Sequence, residues 1–183
     1  NTPRPASLYE VALNPALLEA KAAVVYDSGT NEIIWEKNGS RELPLASLVK
    51  LATAALALDF ASESHIEIRG EDIRQEGDSG FKEGEVWDVE KLIRFTLQTS
   101  SNDGAAALAH VFEGKDDMNS FARRIGLTST YFLNPTGLDV SSSTAGGYGS
   151  AEDVAKLLSY MVRVHPTALT ATLTDNHEED TPE

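Results

Sequence analysis

The longest largely apolar stretch of the chain, Leu51 to Leu58, lies within a run from about Ser47 to Ala61 that reads as one long helix, with Pro44 ahead of it. The stretch is far too short to span a bilayer, which takes about 20 apolar residues. Its side chains therefore need cover from the rest of the fold. With 183 residues the chain is long enough for one domain with a real core, and for a small appended lobe.

The flanking segments give a mixed pattern. Asn1 to Ala20 is a Pro-containing lead-in, with a short helix expected at Pro15–Lys21. Ala22 to Tyr26 reads as a strand and Glu32 to Lys37 as its hairpin partner, joined by the turn residues Asp27 to Asn31. Residues 62–88 read as a small, partly β excursion whose apolar positions are Ile66, Ile68 and Ile73. Helices follow from Val89 to about Thr99, from Ala105 to about Val111, and from about Asp116 to Ile125, where Gly126 is a good stop. Residues 127–149 are rich in Gly, Ser and Thr and read as loop. Ser150-Ala151-Glu152-Asp153 has the form of a capping box, opening a helix with Val154, Leu157, Leu158, Met161 and Val162 on its apolar face. Pro166 is expected to end that helix, and Asn176 to Asp180 to form an acidic, solvated tail. No internal repeat is visible.

Charge and composition exclude several classes of function. Fifteen Lys and Arg against 29 Asp and Glu leave a net charge of −14. Nucleic-acid binding needs clustered Lys and Arg, and there is no such cluster. There are no cysteines, so disulfides and thiolate chemistry are excluded. His65, His110, His165 and His177 show no metal-ligand spacing, although His177 sits beside Glu178 and Glu179. Trp35 and Trp87 read as packing residues outside any aromatic cluster. The chain opens at Asn1 without Met, which reads as a processed or trimmed start.

Chemistry enters at Ser47-Leu48-Val49-Lys50. If a helix begins at Ser47, the i,i+3 spacing places the Lys50 ammonium within reach of the Ser47 hydroxyl. A serine hydroxyl needs a neighbouring base to become a useful nucleophile, and a lysine can serve if burial lowers its pKa. The first-turn N–H groups would lie near a developing oxyanion. A second S-x-x-K, Ser79 to Lys82, lies in a Gly-flanked loop, where nothing sets its two side chains on a common face. Ser100-Ser101-Asn102 falls between two expected helices, where a loop can aim side chains into a cleft. Ser100 could pass a proton there, and Asn102 could orient Lys50 and hold a substrate amide. The plainer reading of that triplet is a turn and a helix cap.

Together the two motifs resemble the active-site serine peptidases and β-lactamases that use S-x-x-K and S-x-N. The hairpin AAVVYDSGTNEIIWEKN, then LPLASLVKLATAALAL, FKEGEVWDVEKLIRFTLQTSSNDGAAALA and FLNPTGLD, resembles the D-alanyl-D-alanine carboxypeptidases in order and interval. The resemblance implies an α+β fold of the serine β-lactamase/DD-peptidase type, an α/β sandwich with a helical subdomain. It implies a lead-in at 1–21, the N-terminal part of a catalytic domain at 22–165, and an acidic tail or linker at 166–183. Ser47 would be the acylated nucleophile, Lys50 its base, Ser100 a proton relay and Asn102 a binder of the peptide backbone. The substrate would be a peptidoglycan stem peptide, β-lactams would acylate the same serine, and no metal or organic cofactor is implied. An extracytoplasmic location goes with that family.

The family's third motif, Lys-Thr-Gly or Lys-Ser-Gly on a later strand, does not occur in the chain, and Pro135-Thr136-Gly137 lacks the lysine. Without that strand, residues 22–37 supply one hairpin of a sheet of about five strands, and a lone hairpin is marginal in water. A companion segment is therefore expected, either as a separate chain or as further residues. Two rival readings follow: a class A β-lactamase, disfavoured by NPTGLD where its deacylating loop would fall, and a non-catalytic cell-wall-peptide-binding or regulatory protein.

Overall fold

The computed structural model describes residues 18–171, apart from 62–63, 78–79 and 113. Residues 15–17 of the expected first helix, Ser79, and the 176–180 tail with His177 lie outside the described residues. Residues 18–21 form no helix, contrary to the expectation for Pro15–Lys21.

Strands β1 (Ala23–Asp27) and β2 (Glu32–Lys37) form an antiparallel hairpin, within a residue of the expected bounds. β-Branched and aromatic residues occupy the middle of both strands and suit the pleated geometry. Asp27 Oδ1 accepts the N–H groups of Gly29 (2.8 Å) and Thr30 (3.2 Å), which closes the turn. A bulge between Val25 and Tyr26 shifts the register from Val25 opposite Trp35 to Tyr26 opposite Ile33.

After β3 (Leu43–Pro44) the chain enters a 3₁₀ turn, Ala46–Leu48, which runs into α1 (Val49–Ala61). Nine residues of α1, including Val49, Lys50, Leu56 and Leu58, are buried. A helix apolar on all sides belongs in the middle of a fold, and α1 packs against four others. These are α2 (Val89–Thr99), α3 (Asn102–Leu108), α4 (Gly114–Arg124) and α5 (Ala151–Val164). In α2, Val89, Leu92, Ile93 and Thr96 make the buried i, i+3, i+4, i+7 stripe, and Asp88 caps it by accepting the Lys91 N–H at 3.1 Å. Leu92 and Ile93 are almost wholly buried, worth about 1.5–3 kcal/mol each.

The excursion supplies β4 (His65–Glu67), a 3₁₀ turn at Asp72–Arg74, and β5 (Val86–Asp88), with β4 and β5 paired antiparallel. Ile66 and Ile68 are buried as expected, but Ile73 is exposed. Trp87 is a packing residue, yet it does belong to an aromatic cluster: its ring centroid lies 5.2 Å from Phe81 and 5.6 Å from Phe95. The three rings come from three separate segments, so local sequence did not reveal the cluster.

Three further differences bear on the site. The helix expected from Ala105 begins at Asn102, because Ser101 Oγ caps it by accepting the Gly104 N–H at 2.9 Å. Residues 127–149 include β6 (Tyr131–Phe132) and β7 (Gly147–Gly149), which join β3 in a three-stranded sheet ordered β3-β7-β6. Strands this short, and glycine-bounded in β7, carry no alternation to read. Pro166 does not merely stop α5: it opens α6 (Pro166–Ala171), where a first-turn proline loses no hydrogen bond.

Candidate active site

Ser47 lies in the 3₁₀ turn, not in the first α turn, and is exposed. Residues i and i+3 eclipse in a 3₁₀ helix, and Lys50 follows just as that turn becomes α1. Ala46, immediately before the serine, has φ +46°, a left-handed conformation costly for a residue with a Cβ. Gly137, at φ +82°, packs so tightly against the Ala46 carbonyl that a Cβ there would overlap it.

The Lys50 side chain is 2 % exposed, and its Nζ donates to Ser47 Oγ at 3.0 Å and to the Thr136 carbonyl at 2.8 Å. Burial lowers its pKa from the ordinary lysine value. Ser100 Oγ donates to Ser47 Oγ at 2.9 Å. Ser47 Oγ thus lies between an amine and a second hydroxyl.

The S-x-N triplet is divided between two helices. Ser100 ends α2 in a left-handed conformation (φ +57°), Ser101 is the cap of α3, and Asn102 is the first residue of α3. The sharp reversal turns Ser100 toward Ser47. Asn102 is not brought onto Lys50: its Nδ2 donates to the Glu76 carbonyl of the excursion at 2.5 Å. The second contact of Lys50 is a backbone carbonyl that sequence reasoning missed. Neither carbonyl has a residue-type signature, although Asn134 ahead of Pro-Thr-Gly does signal a side-chain-closed turn.

Ser47, Lys50 and Ser100 line an open groove of about 470 Å³, walled by Leu48, Leu51 and Leu97 among others. The polar cluster offers a hydroxyl, a desolvated amine and a second hydroxyl, a set suited to proton-coupled nucleophilic attack. Two of the histidines serve elsewhere: His110 Nε2 lies 2.9 Å from Asp72 and His165 Nε2 2.8 Å from Asp59. Among the described residues no three His, Cys, Asp or Glu side chains converge as metal ligands.

The fold is that of the penicillin-binding DD-peptidases. A Mycobacterium tuberculosis H37Rv D-alanyl-D-alanine carboxypeptidase superposes with a TM-score of 0.77 at 27 % identity, covering 85 % of this chain and 60 % of that one. Penicillin-binding protein D2 from Listeria monocytogenes, solved in an ampicillin-bound form, gives 0.73 at 30 % identity, covering 86 % and 68 %. Residues 10–182 match the family profile described as D-alanyl-D-alanine carboxypeptidase, and the chain belongs to that family. The D-alanyl-D-alanine carboxypeptidase DacF of Bacillus subtilis (strain 168) is 30 % identical over 176 residues, which is 89 % of this chain but 44 % of the relative. A D-alanyl-D-alanine endopeptidase of Escherichia coli (strain K12) is 29 % identical over 147 residues, 75 % of this chain and 46 % of that protein. The chain thus spans less than half the length of these two curated relatives.

Proposed function

We propose that Ser47 is the acylated nucleophile of a serine-type D-alanyl-D-alanine carboxypeptidase acting on peptidoglycan stem peptides outside the cytoplasm. The observation that carries this reading is the placement of Ser47 Oγ 3.0 Å from Lys50 Nζ and 2.9 Å from Ser100 Oγ. Neutral Lys50 takes the Ser47 proton as Oγ attacks the carbonyl of the penultimate D-alanine. The tetrahedral intermediate collapses with cleavage of the C–N bond. The proton on Lys50 passes through Ser100 to the departing nitrogen, and terminal D-alanine leaves. Water then hydrolyses the ester and restores Ser47. Asn102 binds the peptide backbone once the Glu76 carbonyl gives up its amide N–H. A β-lactam acylates the same oxygen.

A companion segment carrying the Lys-Thr-Gly strand belongs to this proposal. It would bind the substrate carboxylate and supply an oxyanion N–H, and loss of one such donor costs about 10²–10³ in rate. The second reading is a non-catalytic cell-wall-peptide-binding or regulatory protein with the same fold. Labelling with a fluorescent penicillin separates the two. Covalent label on the parent and on Ser79→Ala, but none on Ser47→Ala, is the expected result. No label on folded protein made from the complete coding sequence supports the binding module and ends the carboxypeptidase reading.

A further inference from the structure

We propose that Asn134 is a positioning residue for the reaction, holding the Thr136 carbonyl where it takes one N–H of Lys50 and keeps the amine lone pair available to Ser47. The inference rests on the reading of Ser47 and Lys50 as nucleophile and base.

A neutral amine has two N–H donors and one lone pair, and nothing internal decides which of them faces a neighbour. Ser47 Oγ, one partner of Lys50 Nζ, can donate or accept and so does not choose. The other partner, the Thr136 carbonyl at 2.8 Å, only accepts. It must take an N–H and can never occupy the lone pair, which therefore stays available, beside the one remaining N–H, to receive the hydroxyl proton. Once that proton has moved, the carbonyl holds the new ammonium by a charge-assisted bond in a site with little water.

The carbonyl is itself placed by one side chain. Asn134 Oδ1 accepts the Thr136 N–H (3.2 Å), the Thr136 hydroxyl (3.0 Å) and the Gly137 N–H (2.7 Å). Asn134 Nδ2 donates to the Leu138 carbonyl at 2.8 Å, and the Leu138 N–H returns to Thr136 Oγ1 at 3.1 Å. Neighbours clamp this turn on both sides. Gly137 abuts Ala46 next to the nucleophile, and a Cβ on Gly146 would run into Leu138 O and Asn134 Nδ2. Thr53 Oγ1, one turn beyond Lys50 on α1, donates to the Pro135 carbonyl at 2.7 Å and ties the turn to the helix that bears the base. The NPTGLD segment is therefore a rigid bracket for Lys50, built around Asn134.

The test uses protein from the complete coding sequence and follows the pH dependence of acylation by a fluorescent penicillin, separating the acylation rate constant from the dissociation constant of the initial complex. For Asn134→Ala the rate constant is expected to fall by about 10- to 100-fold with the dissociation constant within about twofold, since small displacements of a catalytic group cost this much. The acid limb of the profile moves to lower pH, because burial then acts on the ammonium without the carbonyl that offsets it. Thr136→Val, which keeps the carbonyl but removes the hydroxyl link to Asn134, shows the same pattern at about 3- to 10-fold. It carries the test if Asn134→Ala does not fold. A smaller labelled fraction, whose labelled molecules keep the parental rate constant and pH profile, would reduce Asn134 to a folding role and overturn the inference. So would an unchanged rate. Failure of the parent itself to label at Ser47 would instead overturn the proposed function.

Discussion

Lys50 carries an unusual load for a single side chain: it is almost wholly buried, no carboxylate among the described residues pairs with it, and its pKa is lowered by desolvation. As the proposed base it would work only when neutral, so acylation of Ser47 is expected to rise with pH through that lowered pKa. An acylation rate with no rise at any pH below the ordinary lysine value of ~10.4 would contradict the assignment. Lys50→Arg leaves a cation that cannot deprotonate, and a loss of about 10²–10⁴ is expected in the same time course. Stability follows the same sign. The folded pKa lies below the unfolded one, so between them the unfolded chain binds more protons, and this group's contribution rises with pH through that window.

At the scale of elements, the start of α5 shows how one helix end organises a loop. Ser150 Oγ accepts the Asp153 N–H at 3.2 Å, the forward half of a capping box. The Asp153 carboxylate, 1 % exposed, does not turn back on Ser150. It accepts Thr128 N–H (3.3 Å), Ser129 N–H (2.7 Å) and the Thr130 hydroxyl (2.8 Å). Those residues lead into β6, beside the Asn134 turn. Asp153→Ala strands these donors and is expected to cost about 3 kcal/mol, a fall in Tm of about 6–12 °C in a calorimetric scan. Asp153→Asn keeps part of the acceptor set and should lose less than half as much. Equal losses in the two variants would mean that the carboxylate is not organising the loop.

Across the whole molecule, Asp59 near the end of α1 gathers three other parts of the chain. It accepts from Tyr160 of α5 at 2.8 and 2.9 Å, Arg124 of α4 at 2.6 Å, and lies 2.8 Å from His165 at the α5–α6 junction. Burial first, and the bond to Asp59 second, push the Tyr160 pKa up to about 12. An unfolded tyrosine ionises near ~10. Between these values the unfolded state has lost a proton that the folded state keeps, so this contribution is complete below the lower value and declines as pH rises toward the higher. Tyr160→Phe should lower stability at neutral pH by about 1 kcal/mol and flatten the alkaline decline. Urea unfolding midpoints measured across that range check both, and parallel pH curves for parent and variant would remove Tyr160 as their source.

What the sequence determined by itself is what depends on neighbours along the chain. The β1–β2 hairpin, the apolar helix beginning near Ser47, the stripe of α2 and the spacing of Ser47 to Lys50 all follow from local periodicity and turn chemistry. The motif order was legible too, because it is a property of order alone. Tertiary structure decided the rest of the site. Ser100 meets Ser47 across 53 positions and Lys50 meets the Thr136 carbonyl across 86, while Asn102 turns to Glu76 and away from Lys50. The physical reason is that contacts so distant in sequence depend on the folded backbone, and two of these three end on a carbonyl, a group every residue carries. A sequence therefore names the side chain that donates, and only the folded backbone names the oxygen that receives.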